Sequence, residues 1–153
     1  MTKQEFINKY YPEAVEAAKG SHIFPLTIMG AAATESGWGE SGLTKEAFNF
    51  FGIKSTPSWE QNGGKFVTKR TREVVVDKDV YIDAKFRLYA TPADCFRNYV
   101  SFVSGKRYEA AGVLNALNPH DQIDKIAKAG YATDPQYAKT ISAVITVLEK
   151  LIK

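Results

Sequence analysis

Between Pro25 and Gly39 the sequence sets one carboxylate at the edge of an apolar run. Leu26, Ile28, Met29, Ala31, Ala32 and Ala33 follow Pro25, and Glu35, Ser36 and Gly37 break the run. Proline suits the first turn of a helix, and a helix that is apolar nearly all round is a buried one. Glu35 then falls at the C-terminal end of a core helix, where the chain turns out toward solvent at Gly37 and Gly39. Two effects of the same sign act on a carboxyl group there. Desolvation disfavours its charged form, and the negative end of the helix dipole disfavours it further. A carboxyl group kept protonated near neutral pH is a general acid, the group needed to donate a proton to the leaving oxygen of a glycoside. Position alone favours a plainer role for Glu35, as a cap or an ion-pair partner at a helix end.

The elements that must position this group are legible from periodicity and punctuation. Thr2 with Glu5 forms a capping-box pattern before Phe6, Ile7 and Tyr10, Pro12 is expected to restart the helix, and Gly20 to stop it. Turn-formers crowd between Gly52 and Gly64. Phe66 to Val76 and Val80 to Tyr89 then read as a β-hairpin around Asp77, Lys78 and Asp79, lying against a helical body. Thr91, Pro92 and Asp94 cap a helix carrying Phe96, Tyr99, Val100 and Val103. Two short helices, Tyr108 to Leu117 and Gln122 to Ala129, precede a closing amphipathic helix begun by Asp134 and Pro135. The pattern predicts an α+β, mostly helical chain forming a single domain over residues 1–153, without repeats or linkers.

Bulk properties exclude several classes. The chain is 44% hydrophobic and 24% charged, as an ordinary globular domain is, and its 12% aromatic content exceeds what such a core needs, as sugar-stacking clefts do. A net charge of +3 is dispersed among acids rather than gathered on one face, which argues against a nucleic-acid partner. It suits encounter with an anionic polymer, or simple solubility. The single Cys95 excludes an intrachain disulfide and reads as a buried thiol, while His22 and His120 stand too far apart to begin a metal set, so no metal or cofactor is expected. Met1 to Tyr10 carries Lys3, Glu5 and Lys9 in place of the apolar run of a secretory signal, and no stretch is long enough to span a bilayer. A target outside the membrane then implies delivery by a phage, an injection apparatus or lysis, or removal of a leader. No membrane insertion is expected, and the chain is expected to be a monomer.

The string Ala33, Thr34, Glu35, Ser36, Gly37, Trp38, Gly39, Glu40, Ser41, followed by Asn49, Phe50, Phe51, Gly52, Ile53, Lys54, adds specificity. With Ala84, Lys85, Phe86, Arg87 and the late Gly130, Tyr131, Ala132, Thr133, Asp134, Pro135, Tyr137 and Ala138, it resembles the peptidoglycan glucosaminidases of glycoside hydrolase family 73, which include the muralytic domain of FlgJ and many autolysins. The resemblance runs from about Glu5 to the last helix. It implies a lysozyme-like fold, a helical lobe and a small β-hairpin lobe flanking a substrate groove, and activity on peptidoglycan glycan strands.

By the same resemblance Glu35 is the general acid and Glu73, within Thr71, Arg72, Glu73, Val74, the second carboxylate, with Glu60 and Asp83 as fallbacks. Glu73 is equally readable as an exposed strand residue beside Arg72 or Lys69. The substrate's own acetamido oxygen offers a further nucleophile, and Tyr131 is then placed to orient it, or is a core tyrosine. Asn49 and Phe51 would line the groove, the amide bonding an N-acetyl group and the ring giving a wall, although Phe51 also reads as core. Trp38 either shields the acid or pins its turn; Trp59 either stacks on sugar or anchors its loop. The leading expectation is an endo-β-N-acetylglucosaminidase. Its rivals are a muramidase or lytic transglycosylase cutting after N-acetylmuramic acid, and a non-catalytic wall-binding module, which the intact Glu35 disfavours.

Overall fold

The computed structural model describes residues 1–152, apart from the side chains of Glu73 and Val74. Helix α1, Lys3–Ala18, opens on the expected capping box: Glu5 N donates to Thr2 Oγ1 at 3.1 Å and Thr2 N to Glu5 Oε2 at 3.3 Å. Pro12 does not restart the helix but lies inside it. It forfeits one backbone bond, yet Phe6 and Tyr10 before it and Ala14, Ala17 and Ala18 after it are buried in the same core, which keeps both halves on one axis.

Helix α2, Pro25–Glu35, runs as expected and packs against α1 and three later helices. Two short helices that the sequence pattern did not announce follow it, α3 (Gly42–Ala47) and, within the turn-rich stretch, α4 (Pro57–Gln61). Ser41 and Thr56 cap them by accepting from Thr44 N and Trp59 N. Strands β1 (Lys65–Val75) and β2 (Lys78–Leu88) form an antiparallel hairpin in register from Lys65↔Leu88 to Val75↔Lys78. Its two-residue turn is Val76-Asp77, both at positive φ (49° and 61°), one position before the expected centre. Within β2 only Ala84 and Phe86 are buried, so the hairpin rests on the body at its base and the rest projects.

The remaining helices are α5 (Pro92–Phe102), α6 (Lys106–Ala110), α7 (Pro119–Lys128) and α8 (Tyr137–Leu151). The expected helix Tyr108–Leu117 is divided by Gly112 at φ 87° into the end of α6 and a 3₁₀ turn, Val113–Asn115. Asn118 caps α7 three residues ahead of the expected start, and Asp134 acts before α8 by accepting from Gln136 N at 2.9 Å. The architecture is the α+β, mostly helical one that the sequence predicts.

Helix α2 is the axis of the core, with Ile28, Met29, Ala31, Ala32 and Ala33 fully buried. Gly30 permits its contact with α8: a β-carbon there would sit 2.5 Å from Ile145 Cγ1. Gly30→Ala is therefore expected to destabilise the fold by about 1–3 kcal/mol through overpacking, seen in urea as a lower midpoint at constant slope. An unchanged midpoint would show that α8 yields freely. A layer of Phe6, Tyr10, Phe50 and Phe96 lies beneath, ring centroids 4.9–6.5 Å apart. Cys95 is fully buried, and that burial pushes its thiol up to about 12, so it is a packing residue and no nucleophile.

Candidate active site

The turn that ends α2 is built to hold Glu35 at its rim. Ser36 is fully buried; its hydroxyl donates to Ala32 O at 2.5 Å and accepts from Gly39 N at 2.8 Å. Trp38 N donates to Ala33 O at 2.8 Å and Ser41 N to Ser36 O at 3.0 Å. Gly37, Trp38 and Gly39 all have positive φ, a rare conformation for tryptophan. The Trp38 ring holds it there, edge-on to Phe6 at 5.4 Å with Lys3 Nζ 5.4 Å from its centroid.

Glu35 faces a cleft of about 550 Å³ whose other walls include Phe51 to Lys54, Arg87, Arg107, Tyr108 and Gly130 to Ala132. Its Oε2 is buried and makes no hydrogen bond within the protein. Burial alone pushes the carboxyl up to about 8, so the group is protonated at neutral pH. The hydroxyls of Tyr99, Tyr131 and Tyr137 all lie within reach of its charge. The Tyr131 ring lies 5.6 Å from Tyr137, 5.8 Å from Phe102 and 6.0 Å from Tyr99. Burial first, and the field of Glu35 second, hold the Tyr131 hydroxyl above its ordinary range, so it is a neutral hydrogen-bonding group.

The structure brings Glu35, Phe51 and Tyr131 to one cleft. Phe51 stacks on Tyr99 at 4.2 Å and 15° while presenting an edge to the cleft. Two residues of the motif strings, Asn49 expected at the substrate and Trp38 expected to shield the acid or pin its turn, stand back from the cleft. Asn49 is 1% exposed and its amide is already occupied: Nδ2 donates to Ile53 O (2.9 Å) and Arg87 O (3.0 Å), and Oδ1 accepts from Ile53 N (3.1 Å). It ties the Ile53 backbone to that of Arg87 and is not among the residues that line the cleft. Trp38 packs on Phe6, away from the cleft, because its left-handed backbone turns the ring inward.

Trp59 lines a neighbouring cavity of about 650 Å³ instead, donating from Nε1 to Lys65 O at 2.7 Å, with the Arg87 guanidinium 4.7 Å from its ring centroid. Glu60 is engaged by Ser55 Oγ at 2.9 Å, and Asp83 lies exposed in the ladder opposite Arg70. The Glu73 side chain lies outside the described residues; its backbone pairs with Val80 toward the hairpin tip. Among the described residues, no group of three or more His, Cys, Asp or Glu side chains lies together.

Sequence reasoning missed Arg107. Its Nε donates to Ala129 O and its Nη2 to Gly130 O, each at 2.6 Å, clamping the turn that delivers Tyr131. Gly130, at φ 91°, takes a left-handed conformation there. No local signal marks Arg107, which is separated from its partners by more than 20 residues.

Residues 11–150 match the Glucosaminidase family, described as mannosyl-glycoprotein endo-beta-N-acetylglucosaminidase. The chain is 35% identical over 145 residues to the peptidoglycan hydrolase FlgJ of Pseudomonas aeruginosa, covering 92% of this chain and 35% of that protein. It is likewise 35% identical over 149 residues to the exo-glucosaminidase LytG of Bacillus subtilis, covering 94% and 50%. It thus spans half or less of the length of these relatives. The glycoside hydrolase domain of Salmonella typhimurium FlgJ, C-terminally truncated, superposes with a TM-score of 0.80 at 29% identity, covering 97% of this chain and 99% of that one.

Proposed function

Since the chain belongs to the Glucosaminidase family, we propose that it hydrolyses the glycan strands of peptidoglycan after N-acetylglucosamine, at the cell wall, with Glu35 as its general acid. One observation carries the reading: a carboxyl group on the wall of an open cleft, free of any cationic partner and protonated up to about pH 8. The names of the relatives, peptidoglycan hydrolase and exo-glucosaminidase, support the substrate class. Among the described residues no helix is long and apolar enough to cross a membrane.

In this mechanism the Glu35 proton passes to the glycosidic oxygen as the bond to C1 lengthens and positive charge grows on the sugar. The acetamido oxygen of the same sugar closes on C1 from the opposite face. Tyr131 orients that amide, and the Glu35 carboxylate then takes a proton from the water that opens the ring. Phe51 and Tyr108 form the wall. Glu73, on the hairpin, is the alternative activator of that water.

Mass spectrometry of borohydride-reduced fragments from purified peptidoglycan tests the proposal. Reduced N-acetylglucosamine ends are expected. Reduced or anhydro muramic ends would move the cut to the other bond, and no fragments would leave a wall-binding module. Tyr131→Phe is expected to lower kcat by about 10–100-fold with little change in KM, as loss of a group acting in the transition state does. A fall of about 100-fold in Glu73→Gln assigns water activation to the carboxylate, and near-full retention assigns it to the acetamide route.

A further inference from the structure

The cleft is charged in a way that hydrolysis of a neutral sugar polymer does not require. Lys54, Arg87 and Arg107 all line it, Arg87 bonded to the Lys54 backbone and Arg107 to the turn at Gly130, and Glu35 is the only acid among the lining residues. None of the three cations forms an ion pair with a carboxylate, in a protein whose described residues otherwise make ten ion pairs. With Glu35 protonated at neutral pH, nothing inside the cleft offsets them.

Two of the cations are fixed by neutral partners. Arg87 donates from Nε to Lys54 O at 3.1 Å and from Nη1 to Asn98 Oδ1 at 3.0 Å, and Arg107 donates only to the two carbonyls of its turn. Each guanidinium carries five donors; Arg107 uses two in these bonds, and Arg87 uses two and has the Tyr89 hydroxyl beside it as well, so each keeps N–H groups beyond them. Lys54 is exposed, and its ammonium has no ion-pair partner among the described residues. Like charges lining one cleft repel one another, and a cleft of one sign concentrates ligands of the other. A guanidinium with a free fork matches a carboxylate.

Resting on the proposed glycosidase reading, we propose that Lys54, Arg87 and Arg107 make this cleft a reader of carboxylate groups carried by the glycan. The enzyme then selects strands bearing the lactyl carboxylate of muramic acid or the carboxylates of its peptide over a neutral N-acetylglucosamine polymer. Arg107 and Lys54 set specificity, and Arg107 also positions Tyr131.

The test compares kcat/KM on four substrates: intact peptidoglycan strands, strands stripped of peptide so that only the lactyl carboxylate remains, strands with carboxylates converted to amides by carbodiimide, and a chitooligosaccharide. Wild type is expected to prefer carboxylate-bearing strands to amidated ones by at least about tenfold, mostly in KM, with a preference that shrinks as salt is raised. Lys54→Gln and Arg107→Gln should each lower the ratio of carboxylate-bearing to amidated kcat/KM about three- to tenfold, and Arg107→Lys should restore part of it. Lys54→Gln removes no hydrogen bond, so its effect is free of folding defects. In intact strands the lactyl carboxyl is tied up as the amide to the peptide and is freed only by stripping. Activity gained on stripping therefore assigns the lactyl group, activity lost on stripping assigns the peptide, and equal activity means that either carboxylate serves. Equal rates on carboxylate-bearing and amidated strands, or an unchanged ratio in both variants, would overturn the inference. Calorimetric binding of the Glu35→Gln protein to the same strands keeps the two readings apart. Charge-dependent binding without cutting by the wild type fails the glycosidase alone, and cutting with charge-independent binding fails the carboxylate reading alone.

Discussion

Glu35→Gln is expected to lower kcat/KM on peptidoglycan by about 10²–10⁴-fold, the usual worth of a positioned general acid, while making the folded protein more stable at neutral pH. The two effects share one cause. Burial raises the carboxyl from 4.5 to about 8, so the folded state favours the protonated form and the unfolded state does not. Below pH 4.5 both states are protonated and the group costs nothing. Between 4.5 and 8 folding must take up a proton, so the stability linked to Glu35 is progressively lost as pH rises through this window. At pH 7 the cost is roughly 2–3 kcal/mol, at about 1.4 kcal/mol per unit and with some relief from the solvent side of the cleft. Glutamine is neutral throughout. The variant should therefore melt above the wild type at pH 7 and alongside it at pH 4.5. In the wild type the same carboxyl predicts kcat/KM falling tenfold per unit above about pH 8. A Glu35→Gln protein that is inactive yet no more stable at pH 7 than the wild type would mean that the carboxyl is ionised in the fold, and the acid would have to be sought elsewhere.

Asn49→Ala is expected to damage both stability and turnover. Its amide makes three hydrogen bonds, two to Ile53 and one to Arg87 O, and thereby ties the loop after α3 to strand β2. Truncation strands buried backbone groups of both segments, at a cost of about 3 kcal/mol. The same loop carries Phe51 to Lys54 into the cleft, and a displacement of about 1 Å at a reacting site costs on the order of 100-fold in rate. Thermal melts paired with kinetics at a temperature where the variant is fully folded separate this role from substrate contact. An amide that touched the N-acetyl group would raise KM and leave the melting temperature unchanged, and that result would reverse the correction made above.

Much of this molecule is written in short-range signals. Thr2 with Glu5, Thr91 with Asp94 and Pro25 at a helix start mark boundaries because a cap is satisfied within three or four residues. The raised carboxyl of Glu35 is legible for the same reason: an apolar helix ending at a carboxylate implies desolvation wherever that helix is packed. Burial, one of the two causes expected, raises that carboxyl. Pro12 shows the limit of local punctuation, since tertiary burial on both sides overrides it.

The direction in which side chains point is another matter. Trp38 and Asn49 sit in the strings that flag the site, yet one turns onto Phe6 and the other bonds backbone of two separate segments. Arg107, absent from any motif, reaches the cleft because α6 packs beside the turn after α7. The sequence by itself determined the long helices, the hairpin and the place of Glu35 at a helix end, each encoded by neighbours a few residues apart. Only the tertiary structure decided which residues surround that acid. Those residues come from positions 51–56, 87, 102–108 and 130–132, and their convergence depends on packing between elements that no local interaction can specify.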